Sequence, residues 1–279
     1  MFFADYRIEI IPDTEFWLDG GAMFGIVPRV VWERVSKPDE FNRVRLNANC
    51  LFIETPNEKI LVETGLGDKW SLKQTEMYGI KRERSLSDSL KAIANVSADE
   101  ITIVINTHLH FDHAGGNTRL DEGGKVVPTF KNARYFVSGS EFEHAENPHE
   151  RDRASYLKEN WTPLIETRQI EFKADDYEVI EGLRMETITG HSRTMQCVRL
   201  VRNGKTLFGF ADLIPTTAHL PFAWIMGYDL YPTETLEAKK KLLPQAIKED
   251  WMCLFYHDAE MPFCNLIEED GKIKVTKNY

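Results

Sequence analysis

Apolar and polar positions alternate or repeat along most of the chain, and the repeat changes from segment to segment. Period-two or β-branched runs predict strands over Tyr6–Ile11, Arg45–Glu54, Lys59–Glu63, Ile101–Ile105, Ala133–Val137, Tyr177–Ile180, Leu183–Ile188, Cys197–Val201, Lys205–Phe210 and Trp251–Tyr256. Helical spacing appears over Ser85–Asn95, where Leu86, Leu90 and Ile93 share a face, and over Thr233–Lys248, capped at Thr233 or Pro232. A shorter helix is expected from Ser140, with Ser140 as cap and Glu143 completing a capping box, followed by an amphipathic stretch over Tyr156–Thr167. Together these predict a helical insert around 140–170. Turn chemistry joins the strands at Pro56-Asn57, Glu181-Gly182, Asn203-Gly204 and Asp270-Gly271. Phe16–Gly25, rich in glycine and aromatics, reads as a loop, either with a few packed aromatics or forming an apolar rim over a site; it has no Gly-Lys-Ser/Thr ending and is not a phosphate loop. The mixture of strands and helices predicts a layered α/β domain spanning 1–279.

Composition narrows the function classes. The chain has 279 residues and a formal net charge of -10, which argues against a nucleic-acid backbone or an anionic membrane as partner. No stretch is long and apolar enough to span a bilayer, and Met1–Arg7 lacks the basic and apolar regions of a signal peptide. Cys50, Cys197, Cys253 and Cys264 are scattered without C-x-x-C spacing, as reduced thiols of a cytoplasmic protein would be, and Cys197 and Cys253 sit in apolar runs that imply core packing.

The chemistry is concentrated after the Ile101–Ile105 run, in Asn106-Thr107-His108-Leu109-His110-Phe111-Asp112-His113-Ala114-Gly115-Gly116. Imidazole and carboxylate are preferred ligands of zinc, iron and similar divalent ions. In extended backbone His108 and His110 point the same way and can share one ion; Asp112 and His113, past the strand end, can turn toward a second. Gly115 and Gly116 are expected to supply backbone angles that other residues resist. A single histidine here would read as a packed or solvated side chain, as His144 and His149 do in their Glu- and Pro-containing surroundings.

His108-x-His110-x-Asp112-His113 resembles the signature of the metallo-β-lactamase superfamily, and later residues are similar to the rest of its pattern. Glu63-Thr64-Gly65 resembles the Asp-Thr-Gly element that supports the metal loop, with Glu in place of Asp. Thr189-Gly190-His191-Ser192 resembles the element carrying the third histidine, Asp212 stands where a carboxylate bridges two ions, and His257 follows the strand that ends at Tyr256. The resemblance implies the four-layer αβ/βα sandwich and two divalent ions, zinc foremost, with iron, cobalt and manganese as alternatives. His108, His110 and His191 would hold one ion and Asp112, His113 and His257 the other, with Asp212 shared.

Asp at 212, where metallo-β-lactamases proper carry Cys or Ser, points to lactonases, glyoxalase II and phosphodiesterases. Asp-Leu-x-Pro-Thr-x-Ala-His followed by Met-Gly-Tyr-Asp is similar to the branch holding N-acyl-homoserine lactone lactonases and methyl-parathion-hydrolase-like enzymes. The implied activity is opening of lactone rings, foremost N-acyl-homoserine lactones in quorum quenching. Asp112 would act as proton carrier, and Tyr228 or His219 as an added electrophile. Organophosphate triester or aryl-ester hydrolysis on the same ions is the second reading, and a zinc-stabilised binding protein the non-enzyme one. A flavodiiron protein would need Glu at position 110, a processing nuclease a basic face, and glyoxalase II a C-terminal helical domain. The expected partner is a small-molecule lactone or ester, and the apolar N-terminal loop suggests a homodimer.

Overall fold

The computed structural model describes residues 1–278. The chain forms two compact units, one of Met1–Glu15 with Ala48–Asp175, the other of Phe16–Asn47 with the residues from Asp176 onward.

The first unit is built on a seven-stranded sheet in the order Phe2–Phe3, Tyr6–Asp19, Arg43–Glu54, Lys59–Val62, Ile103–Ile105, Arg134–Ser138 and Ile170–Lys173. Ile103–Ile105 lies between two parallel neighbours and is buried throughout, which is why its sequence is continuously apolar rather than alternating. The helix Leu86–Ala94 lays Leu86, Leu90 and Ala94 into a core with Phe52, Val104 and Tyr135. Ser85 caps it, its Oγ accepting from Asp88 N at 3.1 Å, and Asn95 ends it in the left-handed region (φ 57°).

The expected insert contains the helices Gly139–Glu146 and Thr162–Glu166 with short turns at Arg153–Ser155 and Lys158–Asn160. The amphipathic stretch over 156–167 is thus broken, because Trp161 leaves helical geometry to bury its ring with Leu109, Ala114, Val137 and Tyr156. The cap of the earlier helix is Ser138 rather than Ser140: its Oγ accepts from Glu141 N at 3.0 Å. Ser138 ends the preceding strand, so its extended backbone already has the conformation a cap needs.

The second unit carries a seven-stranded sheet in the order Tyr177–Ile180, Leu183–Thr187, Gln196–Arg202, Lys205–Gly209, Met252–Leu254, Phe263–Glu269 and Lys272–Asn278. Its pairs are antiparallel except Lys205–Gly209 with Met252–Leu254, joined through the helix Pro232–Lys248. The Asn203-Gly204 turn takes positive φ at both positions (49° and 72°), the conformation that matches hairpin twist.

Phe16–Gly25 differs from the expected loop. Residues 16–19 continue the Tyr6–Asp19 strand, and Gly20–Phe24 is a short helix capped by Asp19. Of its aromatics Phe16 and Phe24 are packed, as one of the two readings had it: Trp32 stacks on Phe24 at 5.1 Å and rests against bare Gly20, where a Cβ would stand 2.4 Å from the indole. All four cysteines are buried free thiols, and among the described residues no helix is long and apolar enough to cross a membrane.

The position of the cap is testable by urea unfolding. Ser138→Ala is expected to cost about 1 kcal/mol and Ser140→Ala well under half of that; equal losses would return the cap to Ser140.

Candidate metal centre

In the first unit the Ile103–Ile105 strand ends at Asn106, and the chain turns through the short helix Phe111–Ala114. His108, His110, Asp112 and His113 are all buried, with ring centroids 4.5 Å apart for His108–His110 and 4.0 Å for His108–His113. Amides and hydroxyls hold this loop. Asn106 Nδ2 donates to His113 O at 3.2 Å, Asn117 Nδ2 to Asn106 Oδ1 at 2.8 Å, and Thr64 Oγ1 to Asn117 Oδ1 at 3.0 Å.

Gly115 and Gly116 serve a different purpose from the one expected. Gly115 has an ordinary φ of -58°, but a Cβ there would stand 2.1 Å from Leu66 O, and one at Gly116 2.2 Å from Thr64 O. Their role is close approach to the Glu63–Leu66 backbone. That backbone is pinned from below by Asp13, which accepts from Leu66 N at 2.9 Å and from Arg82 through both carboxylate oxygens. Lys69 Nζ closes the far side by donating to Gly115 O and, at 2.7 Å, to Thr118 O; burial pulls its pKa down to about 8.

The imidazoles are oriented from behind. His108 Nδ1 lies 3.0 Å from Thr107 Oγ1, and His113 Nδ1 lies 3.3 Å from Glu63 Oε1, which also accepts from Thr107 N at 3.1 Å. Glu63 therefore gives the support the Asp-Thr-Gly resemblance implied, and its longer side chain is accommodated by a backbone φ of 68°. The His110 ring packs 4.7 Å from Tyr156.

The second unit repeats the device. His191 Nδ1 lies 3.0 Å from Asp229 Oδ1, whose other oxygen accepts from Thr235 Oγ1 at 2.6 Å. His257 Nδ1 lies 3.0 Å from Asn47 O. Both histidines turn Nε2 toward Asp212, His191 at 3.5 Å from Oδ2 and His257 at 3.0 Å from Oδ1. An acceptor on Nδ1 fixes the tautomer whose Nε2 lone pair is open to a metal. Buried imidazoles and carboxylates prepared in this way fit borderline divalent ions.

The other candidates fall elsewhere. His219 is buried, stacks on Phe24 at 4.6 Å, and has both nitrogens engaged, Nδ1 with Thr216 Oγ1 at 2.8 Å and Nε2 with Met23 O at 2.9 Å. Burial pushes its pKa down to about 4, so it is a neutral packing residue with no proton to offer a substrate. Tyr228 is 39% exposed and stands one residue before Asp229. His144 is partly buried, 2.7 Å from Asp152, and His149 is exposed. Asp229 enters the sequence reading only as the last residue of Met-Gly-Tyr-Asp; its role beside His191, 38 positions away, is marked by no local spacing.

Asp229→Asn preserves shape but removes the negative charge and leaves an amide nitrogen that cannot accept from Thr235 Oγ1, and is expected to weaken metal affinity by about 10–100-fold in chelator competition; unchanged affinity would remove Asp229 from its supporting role. His219 binds its proton more weakly folded (about 4) than unfolded (6.5), so the unfolded chain takes up more protons between these values. Stability from this group is therefore full above pH 6.5 and lost as pH falls toward 4, by up to about 1.4 kcal/mol per pH unit. Chemical denaturation across that window should show a shallower acid limb for His219→Gln.

With this geometry established, comparison with known proteins is specific. A family model described as the metallo-beta-lactamase superfamily matches residues 43–257. The N-acyl homoserine lactonase AiiA of Bacillus thuringiensis subsp. kurstaki is 29% identical over 227 residues, covering 76% of this chain and 81% of that protein. The crystal structure of a probable metal-dependent hydrolase from Staphylococcus aureus superposes with a TM-score of 0.91 at 28% identity, over 100% of this chain and 98% of the other. AidC, a dizinc quorum-quenching lactonase in complex with a product, shares the fold at a TM-score of 0.81 and 19% identity, over 100% of this chain and 96% of the other. Matched by the family model over most of its length, the chain belongs to the metallo-beta-lactamase superfamily.

Proposed function

We propose that the chain opens lactone rings, N-acyl-homoserine lactones foremost, at two divalent ions. His108, His110 and His191 would hold one, and Asp112, His113 and His257 the other. Asp212 would be shared, and zinc is the ion we assign. The observation that carries this reading is the split of Asp212: its two oxygens address different imidazoles, at 3.5 Å and 3.0 Å, as a bridging carboxylate must. The lactonase relative supports the substrate class.

Bound ions of this kind bring the pKa of water toward neutrality and offset charge developing on a carbonyl oxygen. The chain's own groups do the rest. Asp112, in the first turn after His110, would carry a proton to the departing alkoxide. Tyr228 offers a phenol hydroxyl to the attacked carbonyl, on the same loop as the Asp229 that orients His191. Phe111, between His110 and Asp112, meets Trp70 and Tyr78 at 5.3 Å each, an aromatic cluster that packs the loop carrying these residues.

Purified protein should carry about two ions per chain and release acid from N-acyl-homoserine lactones in a pH-indicator assay. Asp112→Asn is expected to lower kcat by about 10²–10⁴-fold and, because Asp112 is also a proposed ligand, to weaken the second ion's binding. A kcat/KM for paraoxon or aryl esters above that for every lactone tried would move the activity to those substrates. Chelation should lower Tm and zinc restore it, because the clustered donors are held together at a cost when no ion binds.

A further inference from the structure

The second unit contains a cavity of about 540 Å³, a volume that suits a ligand of several carbons. Val35, Val44 and Leu46 give it an apolar wall; Arg34, Lys37 and Arg45 also line it, as does His257.

Cations gathered at one opening stand out in a chain of net charge -10. The local pairing leaves Arg34 and Lys37 uncompensated. On the same segment Glu33 is taken by Arg29 at 3.1 Å and Asp39 by Arg43 at 2.8 Å. Among the described residues, neither Arg34 nor Lys37 has a carboxylate partner. The cavity's own buried acid, Asp258, is committed to its loop: Oδ2 accepts from Thr217 N and Oγ1, and Oδ1 from Glu260 N and Met261 N. Glu260 is the remaining acid on the lining, against three cations.

We infer that this cavity takes an anionic group at the far end of the substrate's acyl chain, and that Arg34 and Lys37 set a preference for ω-carboxylated over neutral lactones. The inference rests on the lactonase reading, since His257 is both a cavity wall and a proposed metal ligand. The apolar wall carries the methylenes and the cations receive the carboxylate. Because the cations are exposed, each contact is modest and sensitive to salt.

The test pairs N-adipoyl- with N-hexanoyl-homoserine lactone, equal in chain length and differing in the terminal carboxylate. The ratio of their kcat/KM values is expected to fall about tenfold in R34E/K37E, as loss and reversal of two exposed charge contacts would give, and about threefold in R34Q/K37Q. High salt should erode the ratio in the unaltered protein. The same ratio in all three proteins would overturn the inference. If neither lactone is turned over, the lactonase reading falls, and calorimetry with adipate monoamide then decides separately. Binding that R34E/K37E weakens keeps the anion site; no binding to the unaltered protein removes it.

Discussion

The candidate donors depend on one constraint, the control of the second nitrogen of an imidazole. A free imidazole shifts its proton between two positions and rotates about two bonds; only one arrangement presents a lone pair in a given direction. Here Thr107 Oγ1, Glu63, Asp229 and the Asn47 carbonyl each occupy an Nδ1, of His108, His113, His191 and His257 in turn. Much of the surrounding structure holds these partners in place. The approach of Gly115 and Gly116 to the Glu63–Leu66 backbone sets Glu63 under His113, and Thr235 on the long helix steadies Asp229. Orientation in this sense is a packing problem as much as a polar one.

The same reasoning explains what could be read from the sequence. His108, His110, Asp112 and His113 lie within six positions after an apolar run, so strand geometry and ligand chemistry were visible together. The hairpin at Asn203-Gly204 and the helix Leu86–Ala94 were equally local, because turn propensity and helical spacing act over a few residues. Glu63 was legible as a supporting group, but only through the resemblance that places it. The role of Asp229 was not legible, since it comes from a contact between segments far apart in the chain.

Other differences share that origin. Phe16–Gly25 looks like a loop because glycine and aromatics together suggest one, yet Gly20 is bare to admit Trp32. Trp161 breaks a plausible helix because a buried indole outweighs a weak periodic preference. His219 stood in a family-like phrase and looked reactive, but its stacking on Phe24 and its two filled hydrogen bonds are those of a core residue. Lys239 is the converse case: a charged residue on a long amphipathic helix that is wholly buried, its ammonium donating to the carbonyls of His219, Pro221 and Trp224 at 2.6–2.8 Å.

The Asn106–Asn117–Thr64 clamp has a consequence for how the protein meets acid. Its members are amides and a hydroxyl, groups that do not ionise across the ordinary range of solution acidity. The frame under the His108–His113 loop therefore keeps its hydrogen bonds as solution acidity changes, so the shape of the loop is set by packing and by neutral contacts rather than by protonation.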